Sequence, residues 1–164
     1  MTTTRNGLIL ALFLSAATLA AGCAGNQGNA NASTNSNSSQ SNVNATKTNV
    51  EELGVIVNVP YESEEVFWRE DSQHKKIVAV LRFPQAEASR LVADAEKIRP
   101  PQEASINSET WFPPELVAQG DASADDTLRG KSYAANSFFQ DTYNEGRIIK
   151  IDDSDYFILE LSSK

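Results

Sequence analysis

Ile77-Val78-Ala79-Val80-Leu81-Arg82-Phe83, then Pro84, then Gln85 to Arg99, then Pro100-Pro101: this stretch decides the fold. Its first seven residues are β-branched or apolar with one exception, which predicts a central strand covered on both faces. Pro84 suits the first turn of a helix, where a missing N–H does no harm. Ala88, Leu91, Val92, Ala95 and Ile98 recur at helical spacing and predict one apolar face. Glu87 lies near the start, with Lys97 and Arg99 at the end, as the helix dipole favours. The double proline then stops the helix. The pattern predicts a main helix over about 84–99.

Working outward, Val55-Ile56-Val57-Asn58-Val59 reads as a first strand ended by Pro60, and Val66-Phe67-Trp68-Arg69 as a second. Asp71 to Lys76 is a polar turn. Residues 102–110 read as loop. Trp111 to Gly120 suggests a short helix with proline in its first turn and Gly120 as its terminator. Asp121 to Asp126 is a polar loop. Lys131 to Phe139 fits strand or helix, and strand is preferred. Asn144-Glu145-Gly146 reads as a turn. Arg147 to Ile151 and Tyr156 to Leu161 flank Asp152-Asp153-Ser154-Asp155, which predicts a C-terminal hairpin with Ile149, Ile151, Phe157, Leu159 and Leu161 facing the core. Strands on both sides of one good helix argue for an α+β domain, with a small, mainly antiparallel sheet packed on that helix.

The full chain has 164 residues and a net charge of −8. Such a chain repels phosphate backbones and has no basic stripe in its sequence to offset this, so nucleic acid is not an expected partner. With one cysteine it has no internal disulfide, and the folded part depends on its core. From residue 50 to the end the length is that of one domain. Residues 24–49 are dominated by Asn and Ser, with Val43 the sole large apolar side chain. Such a tract cannot bury enough surface to offset its ordering entropy and is read as a disordered tether. As a coil it spans on the order of 25–30 Å.

The start of the chain has three zones. A polar opening carries Arg5, an apolar run extends from Leu8 to Leu14, and small residues lead to Leu19-Ala20-Ala21-Gly22-Cys23. The run is shorter than the roughly 20 residues a spanning helix needs. Ala21-Gly22-Cys23, behind such a run, resembles the lipobox of bacterial lipoproteins. That resemblance implies a diacylglycerol on Cys23, cleavage after residue 22, and acylation (palmitate) of the new amine. Several acyl chains hold a protein stably at a bilayer, where one does not. An ordinary signal cut at a nearby Ala-x-Ala-like site is the alternative and leaves a free thiol. Ala24 follows the cysteine in place of the Asp associated with inner-membrane retention, so the resemblance favours the outer membrane in a Gram-negative host. It covers residues 1–23 alone. The organisation read from sequence is thus signal 1–22, lipidated Cys23 with tether to 49, and one domain over 50–164.

Chemistry is sparse. The single histidine, His74, sits in a charged turn, where a general base would need an orienting partner and a pocket. No Gly-x-Ser-x-Gly elbow, phosphate-cradling loop or His-Glu-x-x-His is present. Asp125-Asp126 and the Asp152-Asp153-Asp155 group are expected in an acidic chain and lack the Gly and distal Glu of a calcium loop. A non-catalytic protein without metal or cofactor is expected. The remaining signal is aromatic. Trp111, Tyr133 and Tyr143, with Asn and Gln nearby, are candidates for a stacking surface. The expected function is a lipid-anchored envelope domain that binds a protein or glycan. A structural lipoprotein without a ligand is the alternative, and a carboxylate hydrolase the less favoured one.

Overall fold

The computed structural model describes residues 45–164; the signal, Cys23 and the tether through residue 44 lie outside the described residues. The domain contains a six-stranded, wholly antiparallel sheet in the order β1-β2-β6-β5-β4-β3. Its strands are β1 (Glu65–Asp71), β2 (Lys76–Arg82), β3 (Gln102–Asn107), β4 (Thr127–Ala134), β5 (Glu145–Ile151) and β6 (Tyr156–Ser162). Helices α1 (Val50–Ile56), α2 (Gln85–Glu96) and α3 (Pro114–Asp121) and a 3-10 turn at Asn136–Phe138 complete the fold. The α+β class, the main helix and the C-terminal hairpin match the reading of the sequence. Among the described residues no helix is long and apolar enough to cross a membrane.

Both faces of the sheet are covered. On one, Trp68, Ile77, Ala79, Leu81, Phe157, Leu159, Leu161 and Ile148 pack against Leu53 of α1, Leu91 and Ala95 of α2, and Phe138. On the other, Val80, Ile149, Ile151, Ile158 and Leu128 pack under Trp111, Phe112 and Leu116 of the α3 segment. The five hairpin residues expected to face the core are all buried, and they divide between the two faces. Ile149 and Ile151 point to the α3 side, and Phe157, Leu159 and Leu161 to the α2 side. The alternation of a strand sends neighbours to opposite faces, and here each face has its own cover.

Several expectations are corrected. Val55 to Val59 is not a strand; residues 50–56 form α1. The Asn49 side chain caps it by accepting from the Glu51 and Glu52 amides at 2.8 and 3.1 Å, and those two acids sit in the first turn. Leu53 and Val57 are buried while Val55 is 74% exposed, a helical rather than a two-residue spacing. The folded part also begins before residue 50. Lys47 exchanges backbone hydrogen bonds with Trp68 at 2.8–2.9 Å, and Trp68 Nε1 donates to the Asn49 carbonyl at 3.1 Å.

Residues 102–107 are edge strand β3, not loop. Only Ala104 and Ile106 are half-buried there, so the apolar signal is weak. Residues 127–134 are strand, and the 3-10 turn occupies 136–138, so the ambiguous 131–139 stretch is both. Gly120 lies inside α3 instead of ending it. A Cβ there would come within 2.4 Å of the Ser108 Cβ, so glycine permits close approach to the β3 exit. Gly146 is likewise in β5 rather than a turn. Its φ is +146°, and a Cβ would meet the Glu160 carbonyl oxygen at 2.0 Å.

Candidate functional site

The α2 helix lies on the sheet face that carries Tyr133 and approaches β4 most closely. Leu91 and Ala95 turn down into the core, while Ala88 and Val92 on the next stripe meet the space beside it. That space is a groove of about 330 Å³. Phe83, Val92, Tyr133 and Phe157 form its apolar walls, and Gln85, Ser89, Glu96, Lys150 and Asp155 its polar ones. The volume is at the lower end of small-ligand sites, and the mixed lining resembles such sites in kind.

Tyr133 decides what the groove can do. Its ring is buried, at 5% exposure. Three of the four tyrosines donate to a carboxylate: Tyr61 to Asp94 at 3.4 Å, Tyr143 to Glu70 at 2.8 Å and Tyr156 to Glu65 at 2.8 Å. The Tyr133 hydroxyl makes no hydrogen bond among the described residues. Burial pushes its pKa up, helped by the charges of Glu96 and Asp152, so the phenol stays protonated and available as a donor near neutral pH.

The cations nearby share this lack of a partner. In the β4–β5 register Lys131 stands directly opposite Lys150, and Tyr133 opposite Ile148, which puts Tyr133 and Lys150 diagonally adjacent on one face. Arg129 is two residues along the same face. Elsewhere most cations have a carboxylate within 4 Å: Lys76 and Arg147 with Glu160, Arg82 with Glu64 and Glu65, Arg90 with Glu87, Lys97 with Asp94. Arg129, Lys131 and Lys150 have none among the described residues. The register sets Glu103 beside Lys131 on its β3 side, and Asp152 follows Lys150 on the β5 side.

A second depression, of about 500 Å³, lies between α3 and the hairpin turn and includes Arg82, Glu115 and Tyr156. Its cation is already engaged. Arg82 Nη2 donates to Glu65 at 2.7 Å, and its Nε lies 3.2 Å from Glu64, off the angle of a hydrogen bond, so that contact is Coulombic.

The three aromatic candidates do not form one surface. Trp111 is on the α3 side and 9% exposed, its Nε1 donating to Glu109 at 2.6 Å and its ring 5.0 Å beneath the Arg69 guanidinium. Tyr143 and Tyr133 belong to the α2 side and are buried, Tyr143 held by Glu70. The shared stacking surface is corrected: each ring is drawn into a core because each sheet face must be filled. Only Tyr133 borders the groove. Lys131 and Lys150 were missed, since a lysine inside a strand signals only an outward side chain; the register brings the pair together. His74 sits on the β1–β2 turn against the Asp71 carboxylate, whose pKa that hydrogen bond lowers. The imidazole is 76% exposed. Among the described residues no three His, Cys, Asp or Glu side chains gather as a metal site would require.

Comparison with protein-family models, with curated proteins and with solved structures gives no match.

Proposed function

We propose that the chain is a cell-envelope lipoprotein, anchored through Cys23, whose domain holds a protein partner in the groove between α2 and the sheet. The groove itself carries this reading. It combines apolar walls from Phe83, Val92 and Phe157 with Tyr133, whose ring is buried and whose hydroxyl has no acceptor among the described residues, and an adjacent lysine. The other three tyrosine hydroxyls are satisfied by carboxylates of the chain, and this one is left for a second molecule. A protein partner is favoured over a glycan because Trp111, Tyr133 and Tyr143 are buried on two faces, whereas sugar stacking needs an open ring.

The anchor half of the proposal is tested by intact-mass analysis of the mature chain. A terminus at Cys23 with the added mass of a diacylglycerol and an acyl chain supports it, and a bare thiol or a different terminus contradicts it. The binding half is tested by a photo-crosslinking residue at Ala93, an exposed groove-lining position, in the full chain within its native envelope. A discrete adduct from Ala93 and none from Glu51 on α1 is the expected result. Equal, diffuse labelling from both positions contradicts it.

A further inference from the structure

We infer that the groove beside α2 receives an acidic polypeptide segment, with a partner carboxylate held by the Tyr133 hydroxyl, Lys150 and Lys131 and a neighbouring apolar side chain against Phe83, Val92 and Phe157. This rests on the groove being the binding site and adds the chemistry of what enters it.

The first argument is a contrast within the molecule. Tyr61, Tyr143 and Tyr156 each have a carboxylate acceptor from their own chain. Tyr133 has none among the described residues, although it is 5% exposed and borders a cavity. The ring is buried but the hydroxyl is not sealed off from water, so it is a donor left open at the groove, where an incoming acceptor can replace solvent. The second argument is charge. The chain has 22 acidic and 14 basic side chains, yet the fold sets Lys131 directly against Lys150. Like charges directly opposite in a sheet destabilise it. No carboxylate approaches either ammonium group within 4 Å among the described residues. Residues 1–44 contain no Asp or Glu that could change this. Neither the hydroxyl nor either exposed ammonium group has a carboxylate within bonding reach among the described residues, although Glu103 stands opposite Lys131 on β3, and Lys150 and Tyr133 line the same groove.

The carboxylates that do face the site sharpen the class of ligand. Glu96 and Asp155 sit on its walls with Gln85 and Ser89. Gln85 and Ser89 bond each other, but an acyl chain laid in the groove would set Glu96 and Asp155 against hydrocarbon with no partner for either. A polypeptide has amides to donate to Glu96 and Asp155 and an anionic side chain for the lysines. A sulfated or phosphorylated glycan would satisfy the lysines and leave Phe83, Val92 and Phe157 without an apolar occupant.

The test uses the full chain in detergent and fluorescence anisotropy with a labelled eight-residue peptide alternating glutamate and leucine. Its glutamine-for-glutamate counterpart, dextran sulfate and phosphatidylglycerol vesicles are the comparison probes. The glutamate peptide is expected to bind about tenfold or more tightly than the glutamine peptide, and to weaken as salt rises. Lys131→Glu with Lys150→Glu should reduce its affinity about tenfold or more, and Tyr133→Phe by about threefold to tenfold. The milder Lys131→Gln with Lys150→Gln guards against a folding defect, and each variant's thermal midpoint is checked. Equal binding of the two peptides, lost in Val92→Glu, overturns the acidic assignment and leaves the groove reading standing. Tighter capture of dextran sulfate or of vesicles through the two lysines overturns the polypeptide assignment. No binding of either peptide, with no crosslink from Ala93, overturns both.

Discussion

The two ends of the sheet treat their polar groups differently. Toward β1, β2 and β6, the tyrosine hydroxyls and most of the strand cations are matched by carboxylates within the chain. Glu65 takes both Tyr156 and Arg82, Glu160 takes both Lys76 and Arg147, and Glu70 takes Tyr143. Even the outer edge of β1 is covered, by the backbone of Lys47. Toward β4 and β5, beside α2, Tyr133, Lys131 and Lys150 have no such matches among the described residues. The same acidic sequence supplies both ends, so shortage of carboxylates does not explain the difference. The difference teaches that one end commits its carboxylates to its own hydroxyls and cations, while the other leaves Tyr133, Lys131 and Lys150 open to solvent or to a second molecule.

The largest expected effect probes the matched end. Trp68 is 1% exposed, carries the Lys47 ammonium 4.4 Å above its ring and donates to the Asn49 carbonyl. Trp68→Ala should destabilise the domain by about 3–5 kcal/mol in chemical denaturation, the range for deleting a large buried aromatic. A loss below about 1 kcal/mol would mean the Lys47–Trp68 junction is not part of the folded unit.

The next prediction sets the two ends directly against each other. Tyr143→Phe and Tyr156→Phe should each lower stability by about 1–2 kcal/mol, because each removes a hydrogen bond to a carboxylate and leaves that carboxylate short of a donor. Tyr133→Phe removes no internal hydrogen bond and should change stability by no more than about 0.5 kcal/mol. Equal losses at all three positions would erase the distinction.

The same contrast appears on raising pH. Burial first, and then the neighbouring Glu70 and Glu65, push Tyr143 and Tyr156 up to about 12. A folded-state pKa above the unfolded value near 10 gives a contribution that is complete below about pH 10 and is lost as pH rises toward 12. Denaturation midpoints should therefore fall across that window in the parent chain. The fall should be shallower in Tyr143→Phe and Tyr156→Phe. Tyrosinate absorbance followed in parallel identifies the groups that ionise.

The smallest effect is expected at the lysine pair. Lys131→Glu makes the pairing with Lys150 attractive and the pairing with Glu103 on β3 repulsive; the two changes oppose each other, and the thermal midpoint should stay nearly unchanged. A clear drop would show that Lys131 has a structural partner and is not left open.

How far the sequence reveals this depends on how local each signal is. Ile77 to Phe83, the α2 stripe and the C-terminal hairpin are legible because their patterns repeat over many residues and end at strong punctuation. Residues 50–56 read as part of a strand because Val55, Val57 and Val59 alternate, while the Asn49 cap that selects a helix is a single residue in an Asn-rich stretch. β3 was illegible because an edge strand beside a polar face carries little apolar signal. The glycines misled for a related reason: Gly120 and Gly146 are placed by close approach to Ser108 and Glu160, not by turns. The site was the least legible part. Tyr133 could be named from its residue type, but its distinguishing feature is the absence of an acceptor, and that depends on where carboxylates many residues away end up. Tyr156 finds Glu65 across 91 residues of chain. Tyr133 finds none, and nothing in residues 131–139 announces it.

The most direct measurement is a spectrum of the full chain with 13C-labelled tyrosine rings, titrated with the glutamate–leucine peptide. The four ring signals report the four environments separately. The account predicts that Tyr133 alone shifts, saturably, while Tyr61, Tyr143 and Tyr156 stay in place. A titration in which Tyr133 does not move while the peptide binds, or in which Tyr143 or Tyr156 moves instead, would contradict it.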